Sequence, residues 1–421
     1  MLALWKEENT FQLSIDARRD APAFTFFEGP PSANGMPGIH HVMSRALKDI
    51  FCRYKTQQGF RVARRAGWDT HGLPVELQVE TRLGITKEDI GKSISIAEYN
   101  RECRQDVMQF KDVWDELTER IGFWLDLNDP YITYEDRYIE TLWNLLRRLY
   151  DKGLLYKGYT IQPYSPAAGT GLSSHELNQP GTYKQVKDTT VVAQFKLEGK
   201  DNEYLLAWTT TPWTLPSNTG LAVGADIEYA RVATYNLYTG KPITVVLASA
   251  LLGRWFDPAG ADADPAAWKP GDKVVPWKVL GYTKGKELEG LRYEQLLPYA
   301  QTEEGDNFRV VCGDFVSTED GTGIVHLAPS FGSDDFRTAR LKNLGSLTLV
   351  DKQGRFSPEV RDFAGEYVKE AYLNEEQKEL ARLAQGRDKY LSEDERISIQ
   401  LKQENKAFRV EKYEHSYPHC W

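Results

Sequence analysis

The sequence predicts an α/β protein that carries a large inserted domain of β-strands, and three observations support this class. An apolar run, a Gly-rich loop and a helical pattern follow one another near the N-terminus. Short β-branched and aromatic runs, separated by Gly, Pro and Asp, occupy the middle of the chain. Helical character returns near the C-terminal end. The β section therefore interrupts the α/β domain.

The first element is the run "AFTFF" (23–27), which is typical of a strand buried on both faces of a parallel sheet. A Gly-Pro-Pro break follows, and residues 42–54 space their apolar side chains as a helix does. Strand, Gly-rich loop and helix open a Rossmann-type nucleotide-binding domain, whose first half we assign to residues 1–181 with its connecting helices. Residues 96–148 are again largely helical and contain the amphipathic blocks "WDELTERIGFWLDL" and "YIETLWNLLRRLY".

The sequence pattern changes near Pro180, and we predict an inserted β-barrel-like domain over residues 182–390. Its all-β section extends to about Asp362. The clearest strands are "DTTVVAQFKLEG", "EYLLAW", "YARVATY", "PITVVLA", "KVVPWKVLGY" and "FRVVCGDF". Helical character returns at "EEQKELARLAQ", and an extended segment, "RVEKYEHSYPHCW", ends the sequence. Residues 391–421 are expected to return to the first domain.

The composition is that of an ordinary globular enzyme, with 41% hydrophobic and 27% charged residues. A net charge of −9 does not indicate a nucleic-acid-binding protein, although it leaves room for a local basic stripe. The four cysteines form no C-x-x-C pair, which is typical of a reducing cytosol. The N-terminus lacks the pattern of a signal peptide, and no apolar run reaches the roughly 20 residues of a membrane helix. We therefore expect a cytoplasmic protein with no membrane partner.

The loop "EGPPSANGMPGIHHV" has the composition of a phosphate-binding loop. Gly29, Gly35 and Gly38 let the backbone approach a ligand closely. The helix that starts near His41 directs unpaired N–H groups and a positive dipole end at the loop. The imidazoles of His40 and His41 can donate hydrogen bonds to charge that develops on a phosphate. The alternative is an ordinary Pro/Gly turn with two surface histidines.

The stretch "GWDTHGLPVE" holds a Trp, an Asp and a His between two glycines, just before a helix-compatible segment. Asp69 can hold an ammonium group through a charge-assisted hydrogen bond. The alternative is structural: Asp69 or Thr70 caps the next helix, and Trp68 belongs to the core. Neither stretch decides its own function when it is taken alone.

Together, the two stretches are specific. Gly-Pro-Pro-x-Ala-Asn-Gly and Gly-Trp-Asp-x-His-Gly-Leu-Pro-x-Glu resemble the class I aminoacyl-tRNA synthetases, and within them the isoleucyl enzymes. Valyl enzymes carry a different second segment, and leucyl enzymes normally have Phe at the position of His71. The flanking "WKEENTF", "LKDIFCRYKTQQGF" and "YPHCW" extend the resemblance over nearly the whole chain. It implies a monomer that activates isoleucine with ATP and Mg²⁺ and transfers it to tRNA(Ile).

The resemblance also implies which residues form the synthetic site. The amino acid would be bound by three residues, of which Asp69 holds the α-ammonium group: Gly29, Pro30 and Asp69. ATP would be bound by Pro31, Asn34, Gly38 and His41. The catalytic motif would consist of Gly38, His40 and His41.

That motif departs from the family pattern. The family has His-x-Gly-His, in which the Gly leaves room for adenine, whereas this chain has Gly38, Ile39, His40 and His41. Three interpretations follow: His40 points away and another group meets the phosphate, the site is damaged, or the exchange is tolerated and alters what else fits. The intact Asp69 segment and editing segments favour the first and third together. We therefore predict a working site that resists mupirocin, an antibiotic that mimics isoleucyl-adenylate.

Two segments of the β section, "WTTTPWTLPSN" and "GTGIVHLAPSFGSDDF", match the editing domain of this family. Isoleucine and valine differ by one methylene, worth only about 1–3 kcal/mol in an apolar pocket, so a second, smaller pocket adds fidelity. Threonine hydroxyls can hold a water or an ester oxygen there, although a Thr-rich strand is often ordinary sheet. The resemblance implies hydrolysis of valyl-tRNA, with Asp335 holding the α-ammonium group. The other implied residues are Thr209, Thr210, Thr211, Trp213, Thr214 and His326.

Leu327 replaces a Thr that many relatives carry, which predicts a less polar wall of the editing pocket. The family's Lys-Met-Ser-Lys-Ser loop and anticodon-binding domain have no counterpart in the sequence. We therefore expect an N-terminal fragment with half of the synthetic site and the whole editing site, unable to aminoacylate alone. The alternative is a stand-alone deacylase or a tRNA-binding module. His419 and Cys420 resemble half of a zinc site, but without a second pair we expect zinc only in the missing part and no metal here.

Overall fold

The computed structural model describes residues 1–419, and the chain divides into two compact units after Gly158. The domain boundaries that we place at residues 181 and 390 stay predictions. In the first unit the elements are α1 (Leu2–Glu7), α2 (Thr10–Asp16), α3 (Ile39–Gln57), β1 (Arg65–Trp68), α4 (Leu73–Leu83), α5 (Ile96–Val107), α6 (Lys111–Arg120), β2 (Asp126–Ile132) and α7 (Asp136–Asp151), with a 3-10 turn at Lys87–Asp89. Strands β1 and β2 pair in parallel.

The predicted strand over residues 23–27 does not form. Only Ala23 makes a bridge, to Arg61, and the side chain of Phe27 is 89% exposed. A strand needs neighbours along its whole length, and an apolar composition cannot supply them. Helix α3 does form, but the apolar face that revealed it is largely exposed within this unit, since Leu47, Ile50 and their neighbours lie in solvent.

The alternatives for "GWDTHGLPVE" have different outcomes. Gly72 precedes helix α4, and no side chain caps that helix, so the prediction that Asp69 or Thr70 caps it is wrong. Trp68 packs in a small core with Ala33 and Trp114, which confirms its core position. The Trp is therefore structural, whereas Asp69 is exposed and free of a capping role.

The second unit contains most of the β structure. Its elements are β3 (Tyr164–Ser165), β4 (Thr170–Gly171), α8 (Ser174–Leu177), β5 (Tyr183–Lys196), β6 (Glu203–Thr209), β7 (Gly220–Val223), β8 (Glu228–Tyr235), β9 (Pro242–Ala248), α9 (Leu252–Trp255), β10 (Lys278–Lys284), α10 (Gly285–Leu288), β11 (Arg309–Cys312), β12 (Ile324–Leu327), α11 (Ser333–Lys342), α12 (Glu375–Ala384), α13 (Glu393–Gln403) and β13 (Ala407–Pro418). The 3-10 turns of this unit are Pro212–Ser217, Ser249–Leu251, Pro258–Gly260, Arg361–Phe363 and Glu370–Tyr372. Each of the six predicted runs contains a strand.

Apart from the short pair β3–β4, the strands of this unit form two open sheets instead of the predicted barrel. One sheet has six strands in the order β10-β8-β9-β6-β5-β13, and the other has three in the order β11-β7-β12. No closed barrel forms in the part of the chain that the structure describes, because the outer strands of neither sheet pair with each other. Closure depends on that long-range pairing, which the alternation of side chains along a strand does not encode. The section is also not all-β, since helix α11 lies within it.

Strands β5 and β13 form a long antiparallel ribbon, which brings residues 183–196 against residues 407–418. The main core packs against the six-stranded sheet and includes Val191, Leu205, Val246 and Ile397 of helix α13. Strand β6 leads into the 3-10 turn Pro212–Ser217, and this turn is followed by β7, which pairs with β12. This path brings the two predicted editing segments together. Within residues 1–419, no helix is both long and apolar enough to cross a membrane.

Candidate functional site

The Gly-rich loop and helix α3 enclose a cavity of about 390 Å³ in the first unit. The residues that line it are Glu28, Gly29, Pro31, Ser32, Asn34, Gly35, Met36, His41, Ser44, Arg45, Lys48 and Trp114. Four of the eight predicted residues of the synthetic site are in this set, and the other four are not: Pro30, Gly38, His40 and Asp69. The lining also includes two cations that the sequence analysis did not consider, Arg45 and Lys48.

His41 lies at the start of α3 and is held by the backbone. Its Nδ1 accepts the N–H of Gly38 at 2.9 Å, so a neutral ring carries its proton on Nε2. Burial lowers the pKa of His41, and the charges of His40, Arg45 and Lys48 lower it further. The imidazole is therefore neutral near pH 7 and offers one N–H donor.

The exchanged motif has a specific geometry. A Cβ atom added to Gly38 would lie 2.8 Å from Cε1 and 3.0 Å from Nδ1 of His40, so the imidazole occupies the space that a side chain at position 38 would need. The ring centroids of His40 and His41 are 3.8 Å apart. His41 in turn meets Trp114 edge to face at 4.6 Å. Both imidazoles thus lie at the N-terminal turn of the helix, and His40 is folded back over Gly38.

The backbone of Asp69 is joined to the Gly-rich loop beside Pro30. The N–H of Asp69 donates to the carbonyl of Pro31 at 2.9 Å, which connects the two sequence motifs. The carboxylate of Asp69 is exposed, and its Oδ1 lies 3.4 Å from the N–H of His71. Pro30 lines a small neighbouring cavity together with Trp68. Asp69 lines neither of these cavities.

The magnesium ion implied by the resemblance finds no set of protein ligands in this cavity. Glu28 is the one carboxylate of the lining, and it is paired with Lys48 at 2.8 Å. Among residues 1–419, no group of three or more His, Cys, Asp and Glu side chains has the arrangement of a metal site. Cys420, which with His419 resembles half of a zinc site, lies outside the described residues.

The second unit contains a separate cavity of about 230 Å³. It is lined by Trp208, Thr209, Thr210, Thr211, Thr214, Val325, His326, Ala328, Phe331 and Asp335. The structure therefore brings six of the seven predicted editing residues to one cavity, across the long stretch of chain between the two segments. The seventh, Trp213, packs edge to face against Phe331 at 5.0 Å.

The threonine hydroxyls form a hydrogen-bonded group. Oγ1 of Thr209 accepts the N–H of Thr211 at 3.1 Å, and the two hydroxyl oxygens lie 3.3 Å apart. Oγ1 of Thr214 donates to the carbonyl of Thr211 at 2.9 Å. These bonds fix the positions of the hydroxyl oxygens along one wall of the cavity.

His326 is fixed by a partner that sequence reasoning missed, Asn218. The amide Nδ2 of Asn218 donates to the carbonyl of Gly220 at 2.9 Å, and its Oδ1 accepts the hydroxyl of Tyr293 at 2.7 Å, so the amide has one orientation. The same Nδ2 then donates to Nδ1 of His326 at 2.9 Å, and Nε2–H of His326 donates to Thr214 at 2.9 Å. Asn218 ends the quoted "WTTTPWTLPSN" segment between two other polar residues, Ser217 and Thr219, so no local signal singled it out.

Burial lowers the pKa of His326 to about 4, so the ring is neutral at physiological pH. Both of its nitrogens are engaged, which leaves no free lone pair. Asp335 lies in the first turn of α11, and its Oδ2 accepts the N–H of Ala328 at 2.8 Å. Burial raises the pKa of Asp335 to about 6, against the opposing effect of the Ala328 hydrogen bond. At neutral pH the cavity therefore contains one carboxylate and no cationic side chain.

The expectation for Leu327 is wrong. Leu327 is fully buried and packs with Ala222, Val311, Ala339 and Leu344, outside the set that lines the cavity. Successive side chains of a strand point to opposite faces, so on β12 the Leu327 side chain points away from the face that carries His326 and into this small core. The replacement of a polar residue at this position therefore does not alter the cavity wall.

Comparison with known proteins gives one matching family profile, tRNA synthetases class I (I, L, M and V), over residues 1–410. The isoleucine–tRNA ligase of Cytophaga hutchinsonii is 63% identical over 99% of this chain and 39% of its own length. The isoleucine–tRNA ligase of Bacteroides fragilis is 55% identical over 100% of this chain and 39% of its own length. The Porphyromonas gingivalis ligase is 56% identical with the same two coverages. The chain thus spans about two fifths of the length of these curated relatives.

Two solved structures share low similarity with this chain. GlLeuRS-CP1 has a TM-score of 0.33 and 14% identity, and covers 53% of this chain and 99% of its own. The ternary complex of Agrobacterium radiobacter K84 agnB2 LeuRS with tRNA and LeuAMS has a TM-score of 0.32 and 15% identity, with coverages of 99% and 48%. Scores at this level carry no argument about the fold.

Proposed function

The chain belongs to the class I tRNA synthetases, and on that premise we propose that it forms the N-terminal part of an isoleucine–tRNA ligase that also hydrolyses valyl-tRNA. The names of its relatives support isoleucine as the substrate. The observation that carries the proposal is the presence of a polar cavity in each unit, one cationic and one containing a single carboxylate. The first suits ATP phosphates, and the second suits the ammonium group of an aminoacyl ester.

In the synthetic reaction, the N-terminal turn of α3 faces the phosphates of ATP, and Nε2–H of His41 donates to them. Arg45 and Lys48 add positive charge to the same cavity. Asp69 and Pro30 bind isoleucine, with Asp69 on its α-ammonium group. This cavity would leave any Mg²⁺ that accompanies ATP to the nucleotide, because Glu28, the one carboxylate of its lining, is already paired with Lys48.

We expect Asp69→Ala in the full-length protein to raise the KM for isoleucine at least tenfold. The lost interaction is a charge-assisted hydrogen bond, worth about 1.5–3 kcal/mol. Isoleucine-dependent exchange of pyrophosphate into ATP measures this KM. Asp112→Ala is the matched control, because Asp112 is also exposed but lies on α6, whereas the backbone of Asp69 is hydrogen-bonded to Pro31 of the Gly-rich loop. An isoleucine KM that is equal in the parent and Asp69→Ala would remove Asp69 from the binding site.

In the editing reaction, Asp335 holds the α-ammonium group of valine esterified to the 3′ end of tRNA. The hydroxyls of Thr209, Thr210 and Thr211 hold the attacking water and the ester oxygen. Water attacks the ester carbonyl, the bond to the ribose oxygen breaks, and the proton of the water ends on that oxygen. His326 is not the base that removes the proton, since both of its nitrogens are engaged. It positions the hydroxyl of Thr214 instead.

The pH dependence of hydrolysis follows from Asp335. Its carboxylate form binds ammonium, and its pKa is raised to about 6, so this form is present above pH 6 and lost below it. We expect kcat/KM for valyl-tRNA hydrolysis to fall tenfold per pH unit below about pH 6. His326, with its pKa lowered to about 4, stays neutral over this range and does not contribute. The Asp335→Asn variant should show a flat profile there, whereas a persisting acid limb would assign it to another group.

The full-length protein tests the proposal through two assays, isoleucine-dependent pyrophosphate exchange and deacylation of valyl-tRNA. We expect both activities. Pyrophosphate exchange should be faster with isoleucine than with valine. Deacylation without exchange would support the alternative, a stand-alone deacylase. The absence of both activities would refute the proposal.

A further inference from the structure

We infer that Asp394 is a positioning residue of the editing cavity, which holds the turn Pro212–Ser217 in place and thereby sets the width of the cavity. The inference rests on the proposed editing function. Asp394 lies in the first turn of α13, far along the chain from the two predicted editing segments. It does not line the cavity, so it acts through the turn and not on the substrate.

The contact between Asp394 and the turn is a single backbone hydrogen bond. Oδ1 of Asp394 accepts the N–H of Trp213 at 2.9 Å. Trp213 stands between Thr211 and Thr214, whose hydroxyls line the cavity, and its ring packs against Phe331, which lines it as well. A shift of the backbone at residue 213 therefore moves hydroxyls and an aromatic wall together.

Asp394 is itself fixed by a partly buried cation, Lys369. Asp394 is 6% exposed, and its Oδ2 lies 3.2 Å from Nζ of Lys369. The same ammonium group lies 3.2 Å from Oδ2 of Asp188 on strand β5. Nε2 of His415 on strand β13 lies 3.2 Å from the same carboxylate oxygen. A buried carboxylate requires such partners, because desolvation of an unpaired charge is costly. The network thus joins the turn to the β5–β13 ribbon.

The charges of the pair agree with this geometry. Burial raises the pKa of Asp394 to about 6, and Lys369 opposes that rise. Burial also lowers the pKa of Lys369, but Asp394 and Asp188 outweigh it, so the net pKa is raised. Near neutral pH the pair therefore consists of the Asp394 carboxylate and the Lys369 ammonium group. The N–H of Trp213 then donates to a charged acceptor, which forms a stronger hydrogen bond than a neutral one.

Two substitutions in the full-length protein distinguish the effect of the hydrogen-bond acceptor on Asp394 from the effect of the size of its side chain. Asp394→Asn keeps a carbonyl oxygen for the Trp213 N–H, whereas Asp394→Leu has a similar size and no acceptor. We expect Asp394→Asn to keep kcat for valyl-tRNA hydrolysis within about threefold, and Asp394→Leu to lower kcat at least tenfold with little change in KM. Asp394→Leu should also lower the ratio of the rate of valyl-tRNA hydrolysis to that of isoleucyl-tRNA hydrolysis, because the aromatic wall formed by Phe331 is no longer held in place by Trp213.

Ser398→Ala is the matched control, since Ser398 is buried on the same helix and its hydroxyl donates only to the carbonyl of Asp394. Amide hydrogen exchange adds a readout that needs no activity: the Trp213 amide should exchange faster in Asp394→Leu than in Asp394→Asn or Ser398→Ala. Unchanged kcat, substrate ratio and exchange in Asp394→Leu would overturn the inference, as would equal losses in Asp394→Asn and Asp394→Leu. A parent that shows no deacylation would instead refute the proposed function, while the exchange result would still decide the role of Asp394.

Discussion

Asp335→Ala is expected to lower valyl-tRNA hydrolysis by about two orders of magnitude while leaving isoleucine activation near that of the parent. Asp335 is the one carboxylate of the editing cavity, and the N–H of Ala328 orients it at 2.8 Å. Loss of a hydrogen bond between charged groups costs about 1.5–3 kcal/mol, and a partly buried site lies at the upper end of that range. At 1.4 kcal/mol for each tenfold change, this gives the stated effect.

Deacylation of valyl-tRNA and isoleucine-dependent pyrophosphate exchange in the full-length protein measure the two activities. The neighbouring Asp334 provides a matched control, because it is exposed, pairs with Arg337 and does not line the cavity. Asp334→Ala should hydrolyse valyl-tRNA as the parent does. If Asp335→Ala also does so, the ammonium-binding role of Asp335 is wrong. If both activities fall together with the unfolding temperature, the substitution has damaged the fold, and Asp335→Asn, which keeps an acceptor for Ala328, then decides.

The second large effect concerns the exchanged motif. We expect the parent to activate isoleucine nearly as well as the Gly38→His/His40→Gly double variant, but to bind mupirocin roughly a hundredfold more weakly, a difference of about 2.8 kcal/mol. In the structure, the His40 imidazole already occupies the space above Gly38 that the family's first His would fill. A second imidazole thus stays next to His41, and we expect the surface presented to a rigid inhibitor to differ from that of the family motif. ATP can adapt to that change, and a rigid adenylate mimic cannot.

The two single variants test whether the positions are coupled. Gly38→His leaves His40 in place and forces two imidazoles into one space, since even a Cβ at position 38 would lie 2.8 Å from the ring. His40→Gly removes the one imidazole from that space, because position 38 stays Gly. Each single variant should lose more activation than the double variant, which a double-mutant cycle measures directly. Additive effects, or equal inhibition of parent and double variant by mupirocin, would contradict this account. A parent unable to activate isoleucine would favour the interpretation that the site is damaged.

The family resemblance read from the sequence is confirmed by the profile match over residues 1–410, and the six predicted strand runs each contain a strand. Both signals are local. Alternating β-branched residues favour a strand wherever its partners lie, and a motif such as "WTTTPWTLPSN" identifies a family by its neighbouring letters alone. The assembly of Thr209, His326 and Asp335 at one cavity followed from that resemblance, and their individual roles stay predictions.

The sequence by itself thus determined the family, helix α3, the strands of the β section and six of the residues that line the cavity of the second unit. Only the tertiary structure decided which distant groups meet. The sheets stay open, "AFTFF" lacks partner strands, and Leu327 faces a core, because pairing and facing depend on long-range packing. The place of His40 over Gly38 depends on a rotamer, and the bond from Trp213 to Asp394 joins residues 181 positions apart. Neither contact can be predicted from the neighbouring residues in the sequence, because each depends on how the folded backbone positions the two groups that meet.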